Sequence, residues 1–221
     1  MFEIRDNIIN NYLNSFYEPV NDSMFEFRQK CEQNHIPIIL KETETFLKEY
    51  LLSINPDNIL EIGAAHGYSA IFFSQILKDA KILTIEKDTN SFEIAKSNIR
   101  FMNLNNRIKV INGDASKKET FNNIDKAKYD LLFIDGAKSK YAAFFNNART
   151  CLKNEATIIC DNILLHGTVS HDVQEVERRK RTSVREMQQF LLDIKNNNKF
   201  NMSTLSLGDG IAIIHKKEIY D

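Results

Sequence analysis

The 221-residue chain has no tryptophan, three cysteines and three prolines, and its 29 basic and 30 acidic side chains leave a formal charge of −1. Each shortage removes a class of protein. Without a long apolar run, a helical membrane span is not expected. The near-balance of charge argues against a uniformly basic nucleic-acid binder, while leaving local patches open. Cys31, Cys151 and Cys160 are odd in number and lack metal-ligand spacing, which fits reduced thiols in the cytoplasm. The opening residues, Met1 to Asn7, lack the charged-then-apolar pattern of a secretory signal, so a cytoplasmic protein is expected. His35, His66, His166, His171 and His215 form no helical metal pair and receive no ligand role. No internal repeat occurs. The length suits one compact domain, with a helical segment over 1–55 leading into the main body over 56–221.

Also missing is the G-x-G-x-x-G pattern of dinucleotide binding. In its place stands Asn58-Ile-Leu-Glu61-Ile-Gly63-Ala-Ala-His-Gly67-Tyr-Ser69. A short apolar run, a glycine turn and an apolar-periodic segment read as strand, loop and helix, the first unit of an open α/β sheet. Gly63 permits a sharp turn at the strand end, and Gly67 permits close approach of a ligand or a neighbouring strand. Ligands of such sheets bind beyond the carboxyl ends of the strands. Glu61 beside the turn would repel a pyrophosphate but suits an ammonium or a sulfonium. Glu86 ends the next strand, placed to accept hydrogen bonds from ribose hydroxyls. Together these features favour S-adenosyl-L-methionine over NAD.

Ahead of this unit, apolar spacing predicts helices over residues 3–17, from Asp22 or Ser23 to about Asn34, and from about Lys41, interrupted near Pro19, Pro37 and Pro56. After it, Ile108–Ile111 is a third strand leading to Gly113-Asp114; Asp114 either reaches an adenine amine or caps the next segment. Tyr129–Asp135 is a fourth strand whose apolar centre implies burial on both faces. Asp135 at its end needs a partner, either Lys138 or a metal ion. A fifth strand, Ala156–Cys160, runs into Asp161-Asn162. Three oxygen ligands at one sheet edge suit Mg²⁺ better than zinc; otherwise Asp161 and Asn162 merely cap a turn. Downstream, Arg178, Arg179, Lys180 and Arg181 precede a capping-box pattern, Ser183-Val-Arg-Glu186. The run reads as an anionic-substrate funnel or as a solvated charged loop. Met202–Leu207 and Ile211–His215 form a hairpin around Gly208-Asp-Gly210.

Taken together, Leu60–Ser69, Glu86, Phe133-Ile-Asp-Gly-Ala-Lys138 with Tyr141, Asp161-Asn162 and Gly208-Asp-Gly210 resemble the cation-dependent class I O-methyltransferases, the group of catechol and caffeoyl-CoA O-methyltransferases. The resemblance covers roughly residues 37–215. It implies a Rossmann-like, mostly parallel seven-stranded sheet with an antiparallel last strand and helices on both faces, often as a homodimer. It puts Ile39, Gly63, Ser69, Glu86, Gly113 and Asp114 on the cofactor and Asp135, Asp161 and Asn162 on Mg²⁺. Lys138 becomes the base. Within the family, Arg178–Arg181 followed by Thr182–Leu191 resembles the bacterial tRNA 5-hydroxyuridine methyltransferases. That implies a tRNA anticodon arm as partner, its phosphates held by the four cations. The alternative acceptor is a small catechol-like phenol or a hydroxycinnamoyl-CoA-like ester. With no tryptophan, the resemblance does not extend to the one that catechol enzymes place near their substrate.

Overall fold

The computed structural model describes residues 7–217. Three helices come first: α1 (Asn7–Asn14), α2 (Asp22–Gln33) and α3 (Lys41–Ile54). Strands and helices then follow as β1 (Asn58–Ile62), α4 (Tyr68–Ile76), β2 (Lys81–Glu86), α5 (Thr89–Phe101), β3 (Ile108–Asn112), β4 (Tyr129–Ile134), α6 (Tyr141–Ala148), β5 (Leu152–Asp161), α7 (Arg181–Asn196), β6 (Phe200–Leu205) and β7 (Ile211–Lys216). The sheet order is β3-β2-β1-β4-β5-β7-β6. Pairings from β3 through β5 are parallel, and β7 is antiparallel to both neighbours. The expected α/β sheet with one reversed strand is what forms.

Helices cover both faces, which is why the central strands are apolar throughout rather than alternating. Alternate residues of each strand feed two separate cores. Ile59, Leu131 and Phe133 pack with Met24, Leu47, Leu51 and Ile71 from the first helices. Leu60, Leu132 and Ile134 pack with Tyr141, Phe145, Met187 and Phe190 from α6 and α7. Helices α2 and α3 thus share a core with the sheet. Strand order reverses between β1 and β4, and the crevice at their carboxyl ends is where such folds hold ligands.

Local chemistry sets several boundaries. Asn21, one residue before the expected cap, accepts a hydrogen bond from Met24 N (2.9 Å) and starts α2. The predicted first helix begins at residue 3, and positions Ile4 and Ile8 fall outside the described side chains; farther along, Tyr12 and Phe16 are exposed. The capping box at Ser183 does not form. Helix α7 begins two residues earlier, because the Arg181 guanidinium donates to the carbonyls of Val176 (2.9 Å) and Gln174 (2.6 Å) and fixes the backbone upstream.

His215 on β7 joins α3 to the sheet, with Nε2 3.3 Å from Tyr50 Oη and Nδ1 3.4 Å from Thr157 Oγ1. Burial lowers its pKa below the ordinary 6.5. The unfolded chain therefore takes up this proton first, so the His215 contribution to stability is present above about pH 6.5 and declines as pH falls toward the depressed value. Urea melts at pH 5, 6 and 7 should show a smaller pH dependence for His215→Gln than for the parent; equal slopes would remove His215 from the account.

Candidate active site

A cleft of about 820 Å³ opens at the carboxyl ends of β1, β2 and β4. Its floor is the loop after β1. Gly63 has φ +100°, and a Cβ there would lie 1.9 Å from the Asp135 carbonyl oxygen, so only glycine lets the ends of β1 and β4 meet. Gly67 plays a different part from the one expected. A Cβ there would meet Ala95 at an ordinary 3.5 Å, and the residue serves as the left-handed start of α4.

Ile39, Gly63, Ser69, Glu86, Gly113, Asp114, Asp135 and Lys138 all line the cleft. Glu86 accepts from the backbone N–H groups of Ala65 and Asp88, both at 2.8 Å, which secures the loop beside it. Asp114 accepts from Ser116 N (2.9 Å) and Oγ (2.7 Å) and pairs with Lys87 (2.8 Å). The Lys87 ammonium and the Ser116 hydroxyl hold its carboxyl well below the usual range. The next helical turn starts at Lys118 with Lys117 at its N-cap, so Asp114 caps no helix; its bonds to Ser116 close the turn before it, beside its place in the wall.

Glu61 departs from expectation. It does not line the cleft and is wholly buried. Strand alternation turns it to the α4 side of the sheet, where Oε1 accepts from the Ser69 hydroxyl. Thr84, at the paired position of β2, presents its hydroxyl to the same buried carboxylate. Burial pushes the Glu61 carboxyl up to about 7.

At the far end of the cleft, Asp135 Oδ1 accepts from Lys138 Nζ (2.8 Å) and from Asn162 Nδ2 (3.0 Å). Lys138 Nζ also donates to Tyr141 Oη (3.1 Å), and that hydroxyl donates to the Asp161 carbonyl (2.6 Å). The Asp161 carboxylate is buried; burial first, then repulsion from Asp135, raises it well above the usual carboxylate range. Asn162 takes φ +57°, which asparagine tolerates better than most residues. The Gly208–Gly210 turn secures this corner, for Leu164 N donates to Asp209 O (2.8 Å) and Ile163 N to Gly210 O (3.0 Å). Read as a hairpin turn alone, that segment gave no sign of this contact across the sheet. Tyr141 carried a signal, three residues after Lys138 at a helix start, but its bridging role needed the fold.

The basic run stands apart. None of Arg178, Arg179, Lys180 and Arg181 lines the cleft. Arg179 (2.7 Å) and Lys180 (3.8 Å) pair with Glu177, and Arg181 is bound to the two backbone carbonyls already described.

An O-methyltransferase family matches residues 15–217. The chain belongs to that family. A Staphylococcus aureus protein provisionally named as a caffeoyl-CoA O-methyltransferase superposes with a TM-score of 0.86 at 31% identity, over 95% of this chain and 100% of that one. The O-methyltransferase from Bacillus cereus, solved with S-adenosylhomocysteine, gives 0.80 at 25% identity over 95% and 97% of the two chains. Caffeoyl-CoA O-methyltransferase of Populus kitakamiensis is 25% identical over 219 residues, 93% of this chain and 91% of the relative. The protein is thus an S-adenosylmethionine-dependent O-methyltransferase, and curated relatives carry the names caffeoyl-CoA and catechol O-methyltransferase.

Proposed function

We propose that the enzyme methylates a hydroxyl flanked by a second oxygen on a small aromatic acceptor, a catechol-like phenol or a hydroxycinnamoyl-CoA-like ester, with Mg²⁺. The observation that carries this reading is the oxygen-rich corner itself. Asp135 lines the cleft, Asn162 bonds to it from just outside, and the buried Asp161 carboxyl beside them is raised by burial first and by the nearby Asp135 carboxylate second. That excess of negative charge on hard oxygen donors suits a divalent cation. When bound there, Mg²⁺ would supply positive charge that acidifies an acceptor hydroxyl and disfavours the ammonium form of Lys138.

The chain's own groups do the remaining work. Lys138 Nζ, fixed by Asp135 and Tyr141, takes the acceptor proton. Tyr141 spends its own proton on the Asp161 carbonyl, so it receives from Lys138 and does not compete as a donor. Ser69 and Asp135 are placed to hold the polar end of the cofactor, and Glu86 its ribose. Holding acceptor oxygen and methyl in line is a large part of the acceleration such a site offers. The tRNA reading draws no support from the cleft, since none of the four cations lines it.

The test incubates the enzyme and S-adenosylmethionine with catechol, caffeoyl-CoA or 5-hydroxyuridine-containing tRNA, with Mg²⁺ or EDTA, and reads methyl gain by mass spectrometry. Methylation of a small aromatic, lost in EDTA, is expected. Methylation of the tRNA alone would reverse the choice of acceptor, and turnover unaffected by EDTA would remove the metal.

A further inference from the structure

The chemistry above leaves one buried feature unused. Arg28 of α2 and Glu44 of α3 form an ion pair in which the side chains are 3% and 2% exposed. Burying two charges costs more than their attraction returns unless the remaining donors and acceptors are satisfied. Here they are. Arg28 Nε donates to Tyr17 Oη (3.1 Å), Nη1 to Glu32 (3.0 Å), and Nη2 both to Glu44 and to the Ile39 carbonyl (2.8 Å). Glu44 in turn accepts from the hydroxyls of Tyr17 and Tyr68, each at 2.6 Å. The Arg28 guanidinium carbon also lies 5.0 Å from the Tyr68 ring centroid, within cation–π range.

Two of these partners, Ile39 and Tyr68, line the cofactor cleft. They arrive from different parts of the chain: Ile39 precedes α3, and Tyr68 opens α4 directly after the glycine loop. The ion pair binds both to one buried point. Burial and the Glu44 carboxylate raise both phenols, Tyr17 to about 12 and Tyr68 further, so each stays a donor across the working range of pH. Apolar packing would also hold α2, α3 and α4 together, but it would not orient a carbonyl and a phenol.

We propose that Arg28 and Glu44 are positioning residues for S-adenosylmethionine, fixing the Ile39 backbone and the Tyr68 ring as walls of the cleft. Helices α2 and α3 are then part of the cofactor site. The inference rests on the family's cofactor and not on the acceptor or the metal. Its test therefore uses S-adenosylhomocysteine binding, which neither can affect.

Two variants serve. Arg28→Met/Glu44→Leu replaces the pair by apolar side chains of similar length and leaves no lone buried charge. Tyr68→Phe keeps the ring and removes one hydroxyl. Thermal melts and calorimetric Kd for S-adenosylhomocysteine are measured on both. The double variant is expected to melt within about 5 °C of the parent while its Kd rises about tenfold; Tyr68→Phe is expected to lose about three- to fivefold, the scale of one hydrogen bond. A folded double variant with Kd within twofold of the parent would overturn the proposal and leave the pair a structural tie. If the double variant does not fold, Tyr68→Phe decides: an unchanged Kd overturns the proposal, and a threefold rise at an unchanged melting temperature supports it.

Discussion

Lys138→Ala should lower kcat by about 10²- to 10⁴-fold, the usual scale for loss of a positioned general base, while S-adenosylhomocysteine affinity stays within a few-fold. The geometry gives the reason. Lys138 Nζ sits between Asp135 Oδ1 at 2.8 Å and Tyr141 Oη at 3.1 Å, at a side chain about one-quarter exposed at the cleft's end. Two bonds fix the nitrogen, and partial exposure leaves it open to an acceptor. Lys138→Arg separates proton transfer from charge. Arginine keeps the positive charge but does not deprotonate in proteins, so it cannot act as a base. The Arg variant should be as inactive as the Ala variant. If it retained more than a tenth of parental kcat, Lys138 would be acting through its charge and the base would lie elsewhere. Single-turnover rates, with cofactor binding measured separately, give the cleanest reading.

Gly63→Ala should damage fold and cofactor site together. The new methyl would fall 1.9 Å from the Asp135 carbonyl oxygen and 2.7 Å from its carbon, both backbone atoms with no rotamer to escape through. The left-handed φ adds strain of its own. Strain and overpacking are each of the order of 1–3 kcal/mol, so a loss of about 3 kcal/mol or more is expected, a fall in Tm of roughly 6–12 °C at this chain length. Any relief must push β1 and β4 apart at the Asp135 corner, so S-adenosylhomocysteine binding should fall more than tenfold even below the melting range. Gly67→Ala is the control. It carries a similar positive φ but meets Ala95 only at van der Waals distance, so it should lose about 1 kcal/mol and keep most of its affinity. Equal losses at the two positions would mean that φ, not the close approach, makes Gly63 necessary.

Much of this enzyme is local in the chain and therefore legible there. Strand, glycine turn and helix follow one another within a dozen residues from Asn58 to Ser69, and their periodicity changes where the structure changes. Strand ends can be read because apolar runs stop at Glu86, Asp135 and Asp161, and in an open parallel sheet those ends share one edge. That is why Ile39, Ser69, Glu86, Asp114, Asp135 and Lys138 could be named in advance and now surround one cleft.

The departures from what the chain alone suggests share a physical cause. Whether a side chain at a strand end faces a ligand or a covering helix depends on strand alternation together with the position of that helix. Glu61 therefore went to α4 and Ser69 instead of into the cleft. Where a basic run sits depends likewise on the fold: none of Arg178, Arg179, Lys180 and Arg181 lines the cleft, and Glu177 with two backbone carbonyls engages three of the four. The Arg28–Glu44 pair lies 16 residues apart in sequence and joins two helices to a third, so no window of sequence displays it. The sequence by itself determined the order of elements, the doubly covered sheet and the chemistry at its carboxyl edge, because those follow from composition and period along short stretches. Only the tertiary structure decided which charges face the ligand and which hold the walls in place, because a charge takes whichever partner lies nearest in space.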